Sequence, residues 1–137
     1  MSTKLFLNLP VQDLNRSVGF FERLGFSFDQ NFTDESATCM IVGDGVFVML
    51  LTEPFFGTFT RKSVADANST TEVITCLGLE SRQRVDELVD EAFAAGAGAA
   101  NEVMDEGFMY LRSFQDLDGH IWEVAWMDPE QAAPGRG

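Results

Sequence analysis

The same order of strand and helix signals occurs twice along the chain, and this internal repeat constrains the fold more than any other feature. Each copy opens with a mainly apolar run, at positions 5–11 and 73–79, in which two different sets of residues alternate, which is the period of a strand with two different faces. A helix signal follows each strand, because Asp13 and Ser81 are good N-cap residues and a glycine ends each apolar stripe. The repeat therefore predicts two modules that each begin with a strand and a helix.

Further strand signals, separated by turns, follow each predicted helix. These strands cover 38–42 and 46–51 in the first copy and 99–103, 108–114 and 121–126 in the second, and alternating phenylalanines at 26–32 add a strand to the first. Each copy is therefore β-α-β-β-β. Because one such unit leaves a sheet face and an edge uncovered, we expect an α+β fold. In it, two β-α-β-β-β modules form a curved mixed sheet, or cup, with the helices outside.

The length of 137 residues favours a single domain built from the two repeats. We expect the first module at 4–52, a connecting loop at 53–70, the second module at 71–128 and a flexible tail at 129–137. The connecting loop carries Phe55, Phe56 and Phe59. A connection this long and aromatic is typical of a lid or of an interface.

Charge and composition disfavour several classes of partner. The chain has 22 acidic and 9 basic residues, for a net charge of −13, so nucleic acid and anionic membranes are poor partners. No apolar run approaches the ~18 residues that a membrane-spanning helix needs, and we see no secretion signal. Cys39 and Cys76 are isolated in separate strand signals, which predicts reduced, buried thiols and a cytoplasmic protein.

Two short motifs add a resemblance to this pattern. The stretch Val11-Gln12-Asp13-Leu14-Asn15-Arg16-Ser17 follows the first strand, and Asp116-Leu117-Asp118-Gly119-His120-Ile121-Trp122-Glu123 lies near the end. With the two modules, they resemble the vicinal oxygen chelate superfamily, which includes glyoxalase I, extradiol dioxygenases and the fosfomycin- and bleomycin-resistance proteins. Leu117 stands where this family usually has proline. The resemblance covers Lys4 to about Asp128 and implies a small-molecule site between the modules and a homodimer.

The resemblance also indicates where a metal would bind. In metal-dependent members each module supplies two ligands, and the corresponding positions here are Phe6, Met49, Ile74 and Glu123. Only Glu123 is a ligand for a hard cation, whereas a catalytic metal needs about three protein ligands. We therefore expect no cofactor, with a divalent metal at Glu123 as the alternative. His120 adds no ligand, because strand residues an odd number apart point to opposite faces.

If Glu123 faces into the cup, strand alternation turns a largely apolar set of side chains to the same side. The predicted ligand-binding residues are Phe6, Asn8, Met49, Ile74, Cys76, Phe108 and Arg112, and the predicted catalytic residues are Glu123 and Tyr110. Alternation alone does not determine which face of the sheet carries Tyr110 and Arg112. An apolar pocket with a few polar groups is typical of a small-molecule site. The structural alternatives are aromatic residues that only fill a core and an ion pair between Glu123 and Arg112.

Two functions of different classes follow from these residues. The first is a glyoxalase- or bleomycin-resistance-like protein that binds a small organic molecule in the cup, acting as a lyase or isomerase with Glu123 as acid or base. The alternative is a non-catalytic protein that sequesters a toxic or cationic compound, which needs neither a metal nor a base. An inert interaction module is a third reading.

Overall fold

A computed structural model of the chain describes residues 3–131. The expected flexible tail at 129–137 therefore lies outside the described residues from 132 onward. The backbone divides into two compact units, Met1–Asp66 and Ala67–Gly137, which we call unit 1 and unit 2. Each unit contains one of the two sequence repeats.

Unit 1 consists of a four-stranded mixed sheet and two helices. Its elements are β1 (Leu5–Val11), α1 (Leu14–Arg23), β2 (Ser27–Asp29), a short 3-10 helix (Gln30–Phe32), β3 (Ala37–Gly43), β4 (Val46–Thr52) and α2 (Glu53–Gly57). The strand order is β1-β4-β3-β2, with β1 parallel to β4 and the other neighbours antiparallel. The predicted strand at 26–32 is thus a three-residue strand that continues into the 3-10 helix.

Helix α1 begins and ends at the residues that the sequence indicates. The Asp13 carboxylate accepts a hydrogen bond from the Arg16 backbone N–H at 3.1 Å, which satisfies a donor that the first helical turn leaves free. Gly25 follows the helix with a φ of +100°, a conformation that glycine adopts at little cost. Phe20 and Phe21 are buried on this helix and contribute to the core of unit 1.

Unit 2 repeats the architecture with a longer helix. Its elements are β5 (Ile74–Gly78), α3 (Arg82–Ala94), β6 (Met104–Asp105), β7 (Met109–Gln115) and β8 (Ile121–Met127). The strand order β5-β8-β7-β6, with β5 parallel to β8, matches that of unit 1 strand for strand. The Ser81 hydroxyl caps α3 by accepting from the Arg84 backbone N–H at 3.1 Å. The predicted stripe of α3 is buried as expected: Val85, Leu88, Val89 and Ala92.

One predicted strand of unit 2 takes a different form. The expected strand at 99–103 is replaced by a single bridge between Gly98 and Gln115, and the paired strand β6 begins only at Met104. A side chain takes over the pairing in between, because the Ser113 hydroxyl accepts from the Asn101 N–H at 2.8 Å and donates to its carbonyl at 3.2 Å. These side-chain hydrogen bonds to the backbone replace the ladder bonds that a strand would make.

The segment expected as a connecting loop is partly helical. Helix α2 starts at Glu53, with Pro54 in its first turn, where a missing N–H costs nothing. Phe55 and Phe59 meet edge to face with ring centroids 5.1 Å apart, and the Phe59 side chain is 64% exposed. Phe59 is therefore at the surface, whereas Phe55 and Phe56 are half-buried.

The observed elements confirm the expected fold class. Within the described residues the chain is α+β, with two four-stranded mixed sheets built from the two repeats, three α-helices and a short 3-10 helix. None of the helices within residues 3–131 is long and apolar enough to span a bilayer.

Candidate functional site

The turn between β7 and β8 fixes the strand that carries Glu123. The buried Asp116 carboxylate accepts hydrogen bonds from the backbone N–H groups of Asp118 at 2.9 Å and His120 at 3.0 Å. It also accepts from the Trp122 indole N–H at 2.9 Å. Burial raises the pKa of Asp116, while the His120 side chain and these donors oppose the shift. The Asp-x-Asp-Gly motif is therefore a clamp that holds the start of β8.

Gly119 completes this turn and brings another part of unit 2 against it. Its φ is +91°, and a Cβ at this position would lie 2.6 Å from the Asn68 side-chain oxygen and 3.0 Å from the Ala67 carbonyl carbon. A larger residue at 119 would collide with this backbone. The segment at Ala67 and Asn68 thus packs directly on the turn.

The sheet of unit 2 has one face covered by α3 and a second face, which we call the open face. Phe114, Trp122 and Val124 are fully buried on the covered face, where β7 and β8 pack against α3. Strand pairing shows which residues share the open face, because residues directly opposite each other point to the same side. These residues form three rows, each given in the order β5, β8, β7. The rows are Ile74, Ile121 and Gln115; Cys76, Glu123 and Ser113; and Gly78, Ala125 and Leu111.

Glu123 therefore lies in the middle of a row between Cys76 and Ser113. The Cys76 thiol is exposed rather than buried as expected, and its pKa is raised by partial burial and, to a lesser extent, by the negative charge of Glu123. The Ser113 hydroxyl is already engaged with the Asn101 backbone. The polar groups of the row that remain for a ligand are the Glu123 carboxylate and the Cys76 thiol.

Tyr110 and Arg112, which the sequence offered as partners of Glu123, lie on the opposite face. Tyr110 pairs with Trp126 and Arg112 pairs with Val124, whereas Glu123 pairs with Ser113. The expectation that Tyr110 and Arg112 join Glu123 in one pocket is wrong, because the two sets of side chains are separated by the sheet. The alternative of an ion pair between Glu123 and Arg112 fails for the same reason.

Both residues instead bind to acidic side chains of α3. The Tyr110 hydroxyl donates to Asp86 at 2.6 Å, and Arg112 donates to Asp86 at 2.8 Å and to Asp90 at 2.9 Å. The hydrogen bond from Tyr110, together with Arg112, lowers the pKa of Asp86, and the same bond raises the pKa of Tyr110. Asp86 and Asp90 therefore connect α3 to the sheet.

Arg82 forms a second connection on the same side of the sheet. Its guanidinium donates to both oxygens of Asp105, at 2.6 and 3.0 Å, and stacks over the rings of Tyr110 and Trp126. The bond from Arg82 lowers the pKa of Asp105 to about 2. The arginine thus ties the first turn of α3 to β6.

The remaining predicted residue of unit 2 lies beside these strands. Phe108 precedes β7 and is half-buried, and its carbonyl accepts a hydrogen bond from the Asp128 N–H at 2.7 Å. Its backbone thereby helps to close the end of the β7–β8 pair.

The predicted residues of unit 1 share one face of its sheet. Phe6 pairs with Phe47 and Asn8 pairs with Met49, which in turn pairs with Cys39. The rings of Phe6 and Phe47 are stacked with centroids 4.9 Å apart, and Phe6 is 52% exposed. This face carries an amide and a thioether where the face of unit 2 carries a thiol and a carboxylate.

The residues around Glu123 do not fit a divalent metal. Its neighbours along β8 on the open face are Ile121 and Ala125, and the Ser113 hydroxyl is engaged elsewhere. Within residues 3–131, the structure contains no group of three or more His, Cys, Asp or Glu side chains arranged to hold a metal ion. We therefore derive no reaction step through a metal.

Sequence reasoning missed three residues of β7, Leu111, Ser113 and Gln115, which share the open face with Glu123. A sequence signal for them exists in the turn at 116–120, because a tight turn of this length places Gln115 opposite Ile121. Odd-numbered residues of β7 then face the same way as Glu123, and the even-numbered Tyr110 and Arg112 face away.

Comparison with known proteins agrees with this architecture. Residues 3–43 match the bleomycin resistance protein-like N-terminal family. No curated protein matches the chain.

Several solved structures share the fold over nearly the whole chain. A hypothetical protein from S. aureus is 28% identical, with 92% of this chain and 94% of that chain covered and a TM-score of 0.78. A glyoxalase/bleomycin resistance protein/dioxygenase family enzyme from Burkholderia phytofirmans is 14% identical, with 92% and 99% covered and a TM-score of 0.75. A fosfomycin resistance protein from Listeria monocytogenes is 17% identical, with 97% and 99% covered and a TM-score of 0.69. The resemblance drawn from the sequence is therefore supported by a match of residues 3–43 to a bleomycin resistance protein-like family, and the chain shares the fold of the glyoxalase/bleomycin resistance protein/dioxygenase structures.

Proposed function

We propose that the protein binds a small, cationic organic molecule on the open face of unit 2, with the Glu123 carboxylate as its counter-ion, and that binding rather than catalysis is its function. The similarity to proteins named for bleomycin and fosfomycin resistance supports a toxic small molecule as the ligand. Fold similarity alone does not assign a ligand, so the proposal rests on the chemistry of the face.

The observation that carries the proposal is the absence of a cation near Glu123 on its own face. The described open-face residues of β5, β7 and β8 include no Lys, Arg or His. Arg112 and Arg82 are held on the opposite side by Asp86, Asp90 and Asp105. A carboxylate on a mostly apolar surface without a protein counter-ion favours a ligand that supplies the positive charge.

The charge of the whole chain supports the same ligand class. A net charge of −13 raises the local concentration of small cations and repels anions. Association with a cation should therefore weaken as salt screens this field.

A lyase or isomerase with Glu123 as its base is the second candidate function. It is favoured by the position of Glu123 between the apolar side chains of Ile121 and Ala125, because an apolar site holds a carboxylate in a reactive environment. In this case Cys76, the thiol in the same row, replaces Tyr110 as the nearest proton donor. Turnover of a bound ligand would distinguish this function from sequestration.

The proposal can be tested with three probes that differ only in charge. Naphthylmethylammonium, naphthylmethanol and naphthoate have the same flat apolar body and carry a positive, a neutral and a negative group. We expect the ammonium to bind best in fluorescence titrations. Glu123→Gln should weaken it about tenfold or more, because a hydrogen bond to a charged group contributes roughly 1.5–3 kcal/mol.

The matched control is Glu22→Gln, which removes the same charge from an exposed residue of α1 in unit 1. We expect this variant to bind the ammonium like the wild-type protein. An equal loss of affinity in both variants would show that the effect comes from net charge alone. Unchanged affinity in Glu123→Gln would refute the proposal. Glu123→Gln should change the free energy of unfolding by less than about 1 kcal/mol, as for substitutions that leave core packing intact.

We also propose that the protein is a cytoplasmic homodimer. The exposed Phe59 ring, which packs on the half-buried Phe55 in unit 1, supports an interface, since exposed apolar patches mark interaction sites. Sedimentation at micromolar concentration tests it, and a single species of 15.2 kDa would refute the dimer.

A further inference from the structure

We infer that Gly78 and Ala125 form the floor on which the apolar body of the ligand lies, so that these two small residues select a flat ring system attached to the ammonium group. This inference rests on the proposed function, because it uses Glu123 as the anchor of the charged end. It adds the shape of the ligand and the residues that determine that shape.

The first observation is free space beside the Glu123 row. Gly78 is the last residue of β5 and pairs with Ala125, so both lie on the open face next to Cys76 and Glu123. A Cβ added at Gly78 would have no heavy atom within 4 Å. The two positions directly beside the carboxylate row therefore carry at most one methyl group between them.

The second observation is the difference between the two sides of that row. On the other side, Ile74 pairs with Ile121, and these bulky side chains stand on the sheet where a ligand body would have to lie. On the Gly78 side, Leu111 pairs with Ala125 and supplies an apolar border toward β7. The small side chains that leave room for a ligand beside Glu123 are thus on one side of its row only.

Flatness follows from the contacts that such a floor offers. A planar ring laid on Gly78 and Ala125 brings many of its atoms close to the backbone of β5 and β8, and dispersion energy grows with the number of close contacts. A globular body of similar size touches the same floor at few atoms. The ammonium group attached to such a globular body is also held farther from Glu123.

The test fills the floor without disturbing the fold. Gly78 has no positive φ, so a side chain is compatible with its backbone. Valine favours strands, where a glycine packs nothing. We expect Gly78→Val to keep or raise the thermal stability of the protein while it weakens naphthylmethylammonium binding by about tenfold or more. Opposite effects on stability and binding exclude misfolding as the cause.

The matched control is Gly43→Val. Gly43 is also the last residue of a strand, has no positive φ and has no heavy atom within 4 Å of an added Cβ, but it lies in β3 of unit 1. This variant should bind the probe normally. If Gly43→Val weakens binding as much as Gly78→Val, the selectivity of the floor is refuted.

Ligand shape gives an independent readout. Adamantylmethylammonium carries the same charged group on a globular body, and we expect the wild-type protein to bind it at least about tenfold more weakly than naphthylmethylammonium. Gly78→Val and Ala125→Val should reduce this preference. Equal affinity for the two ammonium compounds in the wild-type protein would overturn the inference.

The two proposals fail in different ways. If Glu123→Gln weakens binding of naphthylmethylammonium while Gly78→Val leaves it unchanged, the inference about Gly78 and Ala125 is refuted. The proposal that Glu123 is the counter-ion is then retained. If instead Gly78→Val weakens binding and Glu123→Gln does not, Gly78 and Ala125 form an apolar binding surface without Glu123 as its anchor. That result refutes the proposed function and the ammonium class of ligand.

Discussion

The two units have the same strand order and pairing, but only unit 2 has a carboxylate in the middle of the face that its long helix leaves uncovered. The acidic residue in the corresponding row of unit 1, Asp29, lies on the edge strand β2. In unit 1 the central row of the corresponding face is Asn8, Met49 and Cys39, and in unit 2 it is Cys76, Glu123 and Ser113. The backbone is therefore a common scaffold, and the chemistry is set by which side chain occupies the middle of the row.

The units also differ in how they hold the strand that carries this row. The β3–β4 turn of unit 1 has the exposed Asp44 beside Gly45. In unit 2 the turn before β8 is fixed by the buried Asp116, by Trp122 and by the close approach of Asn68. The strand with the candidate functional residue is thus the more firmly anchored one, as expected where a site needs a fixed geometry.

Removal of the Asp116 clamp should give the largest effect. Asp116→Ala leaves the Trp122 indole N–H and two backbone N–H groups without their acceptor in a buried turn. Each unsatisfied buried donor costs about 1–3 kcal/mol, so we expect the free energy of unfolding to fall by roughly 3–5 kcal/mol in urea titrations. Asp44→Ala in unit 1 should change it by less than about 0.5 kcal/mol. Similar effects of the two substitutions would contradict the asymmetry between the turns.

The two turn glycines should differ in the same direction. Gly45 and Gly119 both have a positive φ, which costs an alanine about 1–2 kcal/mol. At Gly45 an added Cβ would meet nothing closer than 3.7 Å, whereas at Gly119 it would lie 2.6 Å from Asn68. We expect Gly119→Ala to lower the free energy of unfolding by roughly 2–4 kcal/mol and Gly45→Ala by about 1 kcal/mol. Equal losses in denaturant titrations would show that the contact with Asn68 relaxes freely.

The fold could be predicted from the sequence because its signals are local and repeated. Asp13 and Ser81 cap the predicted helices, and the alternation of β1 and β8 gives the correct faces for Leu9, Trp122 and Val124. The predicted strand at 99–103 failed because Ser113, twelve residues away in sequence from Asn101, takes its backbone hydrogen bonds. That competition is between distant residues and has no local signal.

The site could be predicted only where one strand determines the face. Alternation along β8 and β5 places Glu123, Cys76 and Ile74 together, and the pairing agrees. The face of Tyr110 and Arg112 depends on the register between β7 and β8. A shift of one residue in that register exchanges the two faces, so alternation within β7 was insufficient.

Acid should loosen unit 2 through its charged connections to α3. The hydrogen bond from Arg82 lowers the pKa of Asp105 to about 2, and the hydrogen bond from Tyr110 lowers the pKa of Asp86. A lowered pKa in the folded state stabilises the fold above the unfolded value, about 3.9, and this stability is lost as pH falls toward about 2. We expect the protection of the α3 amides, which is the intrinsic exchange rate divided by the observed rate at the same pH, to fall over this interval.

Arg82→Met should make that acid loss smaller, because it removes the main cause of the low pKa of Asp105. Arg61→Met in unit 1 is the control, since no ion pair of Arg61 is seen among the described residues. An unchanged pH profile in Arg82→Met would show that the acid sensitivity arises elsewhere.

The two cysteines provide the smallest and most local test of the comparison. Cys39 of unit 1 is 1% exposed and Cys76 of unit 2 is exposed, so iodoacetamide should alkylate Cys76 much faster, as measured by mass spectrometry. Partial burial raises the pKa of the Cys76 thiol, and the negative charge of Glu123 raises it further.

Because the thiolate is the reactive form, Glu123→Gln should lower the pKa of Cys76 and increase its alkylation rate at neutral pH by about two- to fivefold. Glu22→Gln, which removes a charge from unit 1, should leave the rate unchanged. A slower reaction in Glu123→Gln would mean that the carboxylate accepts the thiol proton and activates Cys76. In that case the row in unit 2 would be a reactive pair, and catalysis would gain weight over sequestration.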